Sequence, residues 1–217
     1  KDPPGGGRSA GAVLMAGLAI ATEDELSEAV ALRLVADVEP ALQVTQTLRR
    51  NGFGYLRAKM ASWCELANHQ PVFLLTDLDQ VVCPVELLGQ WRGALTLPPD
   101  LLMRVAVREV EAWLLADHEA MRGLFGERGR LPIEPDQLPD PKARLLQLAT
   151  KYAPRDVRAD LVQATGAMAS QGIGYNARLT QWVQSCWRPD RAAERSPSLL
   201  RARIRLQELA QRSARAR

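Results

Sequence analysis

Val72-Phe73-Leu74-Leu75-Thr76-Asp77-Leu78-Asp79-Gln80 is the stretch on which the fold turns. It opens with an unbroken apolar run, as in a short strand buried on both faces. It ends on two aspartates separated by a single leucine. In extended backbone the side chains alternate, which predicts Asp77 and Asp79 on one face and Leu78 pointing back toward the core. Two carboxylates side by side at the end of a buried strand repel, and one of them is pushed toward protonation. A divalent cation is the simplest remedy, and hard oxygen donors favour magnesium, manganese or calcium over zinc. The competing reading is an Asp-rich turn that caps the next helix.

Moving outward, residues 12–21 form another continuous apolar run, predicting a first strand covered on both faces. Glu23 to Val38 carries helical spacing, with Leu26, Val30, Leu34 and Val38 at every fourth position. Leu42 to Thr45 reads as a weak second strand, and Asn51-Gly52-Phe53-Gly54 as a turn. Tyr55 to Leu66 predicts a helix, Val72 to Thr76 a strand, and Pro84 to Trp91 a helix with Pro84 in its first turn. A fourth strand, Met103 to Val107, leads into a helix from Glu109 to Ala116. Strands alternating with helices predict an α/β fold with a mostly parallel sheet flanked by helices. Beyond Asp117 the sequence shows helices and no convincing strand. The expected organisation is a flexible leader over residues 1–11, an α/β domain over 12–125, and a helical C-terminal region over 126–217 packed on it.

The chain has 217 residues, 47% hydrophobic and 24% charged, which excludes global disorder. Its net charge is only +3, but the surplus is concentrated. From Arg188 onward the basic residues Arg188, Arg191, Arg195, Arg201, Arg203, Arg205, Arg212, Arg215 and Arg217 are opposed only by Asp190, Glu194 and Glu208. That asymmetry suggests a polyanion, with a solvated helix face as the plainer reading. Ser196 and Pro197 mark the start of the last helix, with Leu199, Ala202, Leu206 and Leu209 on one stripe. Arg201, Arg205 and Arg212 fall on roughly the opposite face, suited to contacting phosphates or an acidic partner. Tyr175, Trp182 and Trp187 could stack on bases, although their helical spacing favours the core.

Cys64, Cys83 and Cys186 are isolated and odd in number, which points to a reducing, cytoplasmic compartment. The apolar run is too short to span a bilayer, so no membrane association is expected. His69 and His118 lack a pairing signature. Without a Gly-x-x-x-x-Gly-Lys loop, any ATPase activity should reside in another protein.

In open α/β sheets ligands bind beyond the carboxyl ends of the strands. Glu23 and Asp24 follow the first strand and emerge at the edge where Asp77 and Asp79 emerge. Taken alone, Glu23 and Asp24 also suit a helix N-terminus. If the fourth strand lies near the first, Glu109 or Glu111 completes a metal shell. Trp113, Leu114 and Leu115 read as core.

An acid after the first strand, then a helix, then an apolar run ending in Asp-x-Asp, resembles the TOPRIM domain of topoisomerases, primases and overcoming-lysogenization-defect nucleases. Thr22-Glu23-Asp24-Glu25-Leu26-Ser27-Glu28, Leu75-Thr76-Asp77-Leu78-Asp79, the segment from Val107 to Asp117 and Ser196-Pro197-Ser198-Leu199 look like a group of uncharacterised bacterial TOPRIM-like proteins. Members of that group are often encoded beside ATPases in presumed phage-defence loci. The resemblance implies a nuclease using Mg2+ or Mn2+, with Asp77 and Asp79 as metal ligands and Glu23 as ligand or general acid/base. Glu111 joins them as a catalytic candidate, and nucleic acid and an ATPase are the implied partners, with oligomerisation open. The family pattern has glycine after the first glutamate where this chain has Asp24, which bears on the turn and on catalytic competence. A non-catalytic nucleic-acid-binding or sensor subunit is the alternative, and an assembly protein docking through its arginine helix is a third.

Overall fold

The computed structural model of the chain describes residues 16–38, 41–49, 54–163 and 170–215. The leader, residues 12–15 of the expected first strand and Asn51-Gly52-Phe53 of the expected turn lie outside the described residues. The elements in chain order are β1 (Ala16–Thr22), α1 (Glu25–Ala36), β2 (Leu42–Arg49), α2 (Tyr55–Ala58), α3 (Met60–Ala67), β3 (Val72–Asp77), α4 (Pro84–Arg92) and β4 (Leu101–Ala106). They are followed by α5 (Val110–Ala116), α6 (His118–Phe125), α7 (Pro141–Tyr152), α8 (Arg155–Leu161), β5 (Val162–Gln163), β6 (Ser170–Gln171), α9 (Tyr175–Ser185), α10 (Pro189–Ala192) and α11 (Pro197–Arg215).

The strands β1 to β4 form one all-parallel sheet in the order β2-β1-β3-β4. Their alternating side chains explain the layers. Leu18, Ile20, Phe73, Leu75, Leu102 and Ala106 face one large core, which they share with α1, α5, α7, α9 and α11. Ala19, Ala21, Val72, Leu74, Leu101 and Met103 face the other side, against Leu56, Met60 and Trp63. The small alanines of β1 leave room there for the Trp63 indole, whose Nε1 donates to the Leu56 carbonyl at 2.9 Å. That carbonyl is thus engaged by a side chain, and the expected single helix from Tyr55 divides at Lys59 into α2 and α3.

At the outer edge β2 runs four residues beyond the expected Thr45. Its register with β1 shifts between Leu18 and Ala19. Gly17 lies beside this irregularity, where a Cβ would come within 2.9 Å of the Thr45 methyl.

The C-terminal helices bury residues on the same core as the sheet. Trp113 is fully buried, as expected, and its Nε1 donates to Ser198 Oγ at 2.7 Å. The last helix starts where the sequence places it. Leu199 N donates to Ser196 Oγ at 3.2 Å, and Ser198 N to Asp136 Oδ2 at 2.8 Å. The expectation of no strand beyond Asp117 is overturned by the antiparallel pair β5-β6. Two-residue strands carry no periodicity to detect. Glycine at 172 is required here, because a Cβ would run into the Asp160 carbonyl oxygen. Among the described residues no helix is long and apolar enough to cross a membrane.

A candidate acidic active site at the sheet's carboxyl edge

The strand order creates the site. From β1 the chain moves outward to β2, then returns to β3 on the other side of β1, so the connections diverge between β1 and β3. Such a switch point opens a crevice at the carboxyl ends of the two strands. Glu23 follows β1 and Asp77 ends β3. Thr76 Oγ1 donates to Glu23 Oε1 at 2.6 Å and so ties the two strand ends together. Glu23, Asp77 and Asp79 line a single cavity of about 420 Å³, which Leu87 and Trp91 of α4 also line.

The route by which Asp79 arrives differs from the expectation. β3 ends at Asp77, and Asp79 adopts a left-handed backbone with φ 50°. Strand alternation therefore does not place it; a turn does. Asp79 N donates to the Arg108 carbonyl at 2.9 Å, and Arg108 Nη1 returns bonds to the carbonyls of Asp79 at 2.8 Å and Val81 at 2.9 Å. Arg108 itself has φ 62°. Aspartate tolerates this region through its short polar side chain, whereas arginine there costs about 1–2 kcal/mol. The reciprocal bonds hold both residues in place.

Asp24 stands between β1 and α1. Its backbone is extended, φ −139° and ψ 178°, a conformation open to any residue. Its Oδ1 accepts from Ser27 N at 2.7 Å and caps α1. Asp77 also has a structural bond, since its Oδ1 accepts from Val110 N at the start of α5 at 3.0 Å.

The charges acting on Asp77 are those of other acids. Burial, then the charges of Glu111, Asp24, Asp79 and Glu109, hold the Asp77 carboxyl well above the usual carboxylate range. Burial likewise raises Glu23; the Thr76 hydrogen bond opposes it, and Asp79 and Asp24 reinforce it. Asp79, more open, is raised by partial desolvation at the cavity mouth. Among the described residues no lysine or arginine forms an ion pair with Glu23, Asp24, Asp77, Asp79, Glu109 or Glu111. Nor, among those residues, do three His, Cys, Asp or Glu side chains stand as a set that could hold a metal ion.

β4 pairs with β3 and lies away from β1, contrary to the premise that brought Glu109 and Glu111 to the metal shell. Glu109 Oε2 accepts from Lys142 N at 2.9 Å in the first turn of α7, whose cap is Asp140. Glu111 is buried, outside the residues lining the cavity, and close enough to repel Asp77. Tyr175 Oη donates to Glu111 Oε1 at 2.8 Å, and the Lys142 ammonium lies 5.0 Å from the Tyr175 ring centre. Burial above all, and then Glu109, push the Glu111 carboxyl up to about 7. Tyr175, Trp182 and Trp187 are all buried, which removes them as stacking platforms.

Thr76, Arg57, Glu86 and Tyr175 belong to the site or its support, and sequence reasoning misses them. A threonine next to the first aspartate is the nearest to a signal. His69 pairs with Glu65 at 3.4 Å and His118 bonds the Pro132 carbonyl at 2.8 Å, both away from the cavity. The cysteines are free thiols. On α11, Arg201 and Arg205 are exposed, Arg205 in a 2.7 Å pair with Glu208. Arg212 is exposed too, and its Nη2 donates to the Pro99 carbonyl at 2.9 Å.

The class that fold and site define is a parallel α/β protein with an acid-lined cavity at its topological switch point. No protein-family description, curated protein or solved structure matches the chain.

Proposed function

We propose that the chain is a divalent-metal-dependent nuclease of the TOPRIM type, a partner-regulated cytoplasmic effector of antiviral defence acting beside an ATPase. The observation that carries this reading is the convergence of Glu23, Asp77 and Asp79 on one cavity with no ion-pairing cation among the described residues. What supports a metal is the donor chemistry, hard carboxylate oxygens whose mutual repulsion a divalent ion relieves, while the three side chains do not stand as a ready-made ligand set. Asp77 and Asp79 would hold Mg2+ or Mn2+, with Glu23 beside them. When bound, the ion supplies charge neutralisation at the phosphodiester and activation of water.

The chain's own residues do the rest. The Thr76 hydroxyl holds Glu23 at Oε1, leaving the other oxygen to exchange a proton with water or the leaving group. Raising the Glu23 carboxyl brings it nearer to neutral pH, where such exchange is efficient. The Val110 amide fixes Asp77, and the Arg108 bonds fix the turn that carries Asp79. Arg57 lines the same cavity and is suited to a phosphate oxygen.

The test is incubation of the purified chain, alone and with its ATPase partner, with labelled single- and double-stranded DNA and RNA in Mg2+ or Mn2+. Cleavage that falls about 10³-fold in both Glu23→Gln and Asp77→Asn supports the reading. Cleavage that survives both variants overturns it. The absence of a ready-made three-ligand set among the described residues favours a second reading, a non-catalytic nucleic-acid-binding or sensor subunit. Under that reading binding persists and no cleavage is seen in any combination.

A further inference from the structure

A second cavity adjoins the acidic one, a groove of about 770 Å³ lined by Gln80, Val82, Pro84, Arg108, Pro139 and Arg201, among others. The two share a wall made of Leu78, Gln80 and Val82. We propose that this groove seats unpaired nucleotides of a single-stranded nucleic acid, with their phosphates on an arginine cluster formed by Arg104, Arg201 and Arg205, and feeds the strand into the acidic cavity. The inference rests on the nuclease reading for the destination of the strand, and on the groove's own chemistry for its contents.

That chemistry begins with charge. The groove's acid, Asp136, is occupied: Oδ1 accepts from Ser196 Oγ at 2.7 Å and Oδ2 from Ser198 N at 2.8 Å. Of the cations lining it, Arg108 is held by the Asp79 and Val81 carbonyls and Arg201 is the freer. Arg201 is exposed and, among the described residues, has neither a hydrogen bond nor an ion pair. Arg205 lies one helical turn further on the same face of α11. Arg104 belongs to β4, the strand that α11 packs against, and is half-buried and also without an acceptor among the described residues. Burial, then the charges of Arg205 and Arg201, pull its guanidinium below the usual arginine range, and Glu208 only partly offsets them. Like charges gathered at a half-buried position favour an incoming anion.

Shape chooses between single strand and duplex. A duplex presents phosphate ridges and keeps its bases stacked inside, so a concave groove with proline and valine walls has nothing to receive from it. Splayed bases fit such walls, with amides and guanidinium planes to meet their edges and faces. Gln80 and Gln137 supply amides, Arg108 and Arg201 the planes. Val82 lies at the lip, 77% exposed, an apolar surface available to a base.

The test uses the Asp77→Asn chain, so that binding is read without cleavage. Fluorescence anisotropy is measured in calcium buffer with fluorescein-labelled T-tract DNA, U-tract RNA and a duplex of equal length, across a salt series. At least tenfold tighter binding of one or both single strands than of duplex is expected, and the two single-strand arms tell DNA from RNA. Replacing Arg201 and Arg205 together by alanine should weaken single-strand binding at least tenfold. It should also flatten the slope of log affinity against log salt by about 1.4, at about 0.7 for each phosphate that is no longer neutralised. The double lysine variant should restore the slope. Glu208→Gln should tighten binding by removing a competitor for Arg205. Duplex bound as tightly as single strand, or an unchanged slope in the double alanine variant, overturns the proposal. If these binding results hold while the unmutated chain cleaves nothing, the groove stands and the nuclease reading falls.

Discussion

Two carboxylates in this molecule are withdrawn from solvent at helix N-termini and treated in opposite ways. Asp117 is fully buried and fully answered: Arg191 clamps both oxygens at 3.0 and 2.9 Å, and the amides of Ala120 and Arg188 add bonds at 3.2 and 2.8 Å. Asp77 has one amide, from Val110, and is surrounded by the charges of Glu111, Asp24, Asp79 and Glu109. Burying a charge is tolerable when it is paired and hydrogen-bonded and costly otherwise. The Asp117 site is therefore a structural clamp joining α5 to α10, complete in itself. At Asp77 acids gather without an ion-pairing cation among the described residues, and the carboxyl is raised where Asp117 is paired.

The largest expected contrast comes from neutralising each acid in turn. Asp117→Ala leaves the amides of Ala120 and Arg188 unanswered while Arg191 keeps Glu119 at 2.8 Å, and should lower stability by about 1–3 kcal/mol in urea unfolding. Asp77→Asn should reduce metal-dependent cleavage about 10³-fold while leaving the urea midpoint unchanged or higher, since it removes repulsion. A large loss of stability in Asp77→Asn would erase the distinction. Divalent ions sharpen it further. Mg2+ or Mn2+ at about a hundred times its dissociation constant should stabilise the unmutated chain by about 2.7 kcal/mol, read as a rise in Tm. The rise should vanish in Asp77→Asn and persist in Arg191→Lys.

A pH series separates the two regions again. The Glu111 carboxyl stands at about 7 in the folded chain against an ordinary value of 4.5. Between these values the folded state holds a proton that the unfolded state has released. Stability from this group is thus complete below about pH 4.5 and is lost as pH rises toward 7, by about 3 kcal/mol in all. Glu111→Gln should flatten that slope in chemical denaturation between pH 5 and 8. A slope unaffected by the substitution would show that other groups carry it.

Much of the architecture is legible in the sequence, because buried parallel strands read as unbroken apolar runs and covering helices repeat every three to four residues. The runs at β1 and β3 and the stripe Leu199, Ala202, Leu206 and Leu209 are of this kind. The meeting of Glu23 with Asp77 and Asp79 is also legible, since ligands collect at the carboxyl ends of parallel strands. The route is not. Asp79 reaches the cavity through a left-handed turn whose partner, Arg108, lies 29 residues away, and no local pattern encodes that pairing. The place of β4 beyond β3 depends on strand order, which periodicity does not report. It is this order that puts Glu111 behind Asp77, with Tyr175 from a distant helix as its donor. Asp24 is legible in the plainer of its two readings, as the cap of α1, with an extended backbone that any residue adopts.

The smallest effect probes the seam between the two central strands. Thr76→Val keeps the shape of a buried residue and deletes the hydroxyl that donates to Glu23. The bond it removes is to a charged acceptor in a half-buried site, so its loss should cost about 1.5–3 kcal/mol where the carboxylate form is required. That bond lowers the Glu23 carboxyl against the burial that raises it, so its removal should move the acidic limb of the cleavage pH profile upward. Activity should fall about tenfold at neutral pH and recover at higher pH. Uniform loss at every pH would mean that Thr76 only positions Glu23. An unchanged profile would mean that Glu23 does not exchange the proton, leaving Asp77 and Asp79 to account for the chemistry.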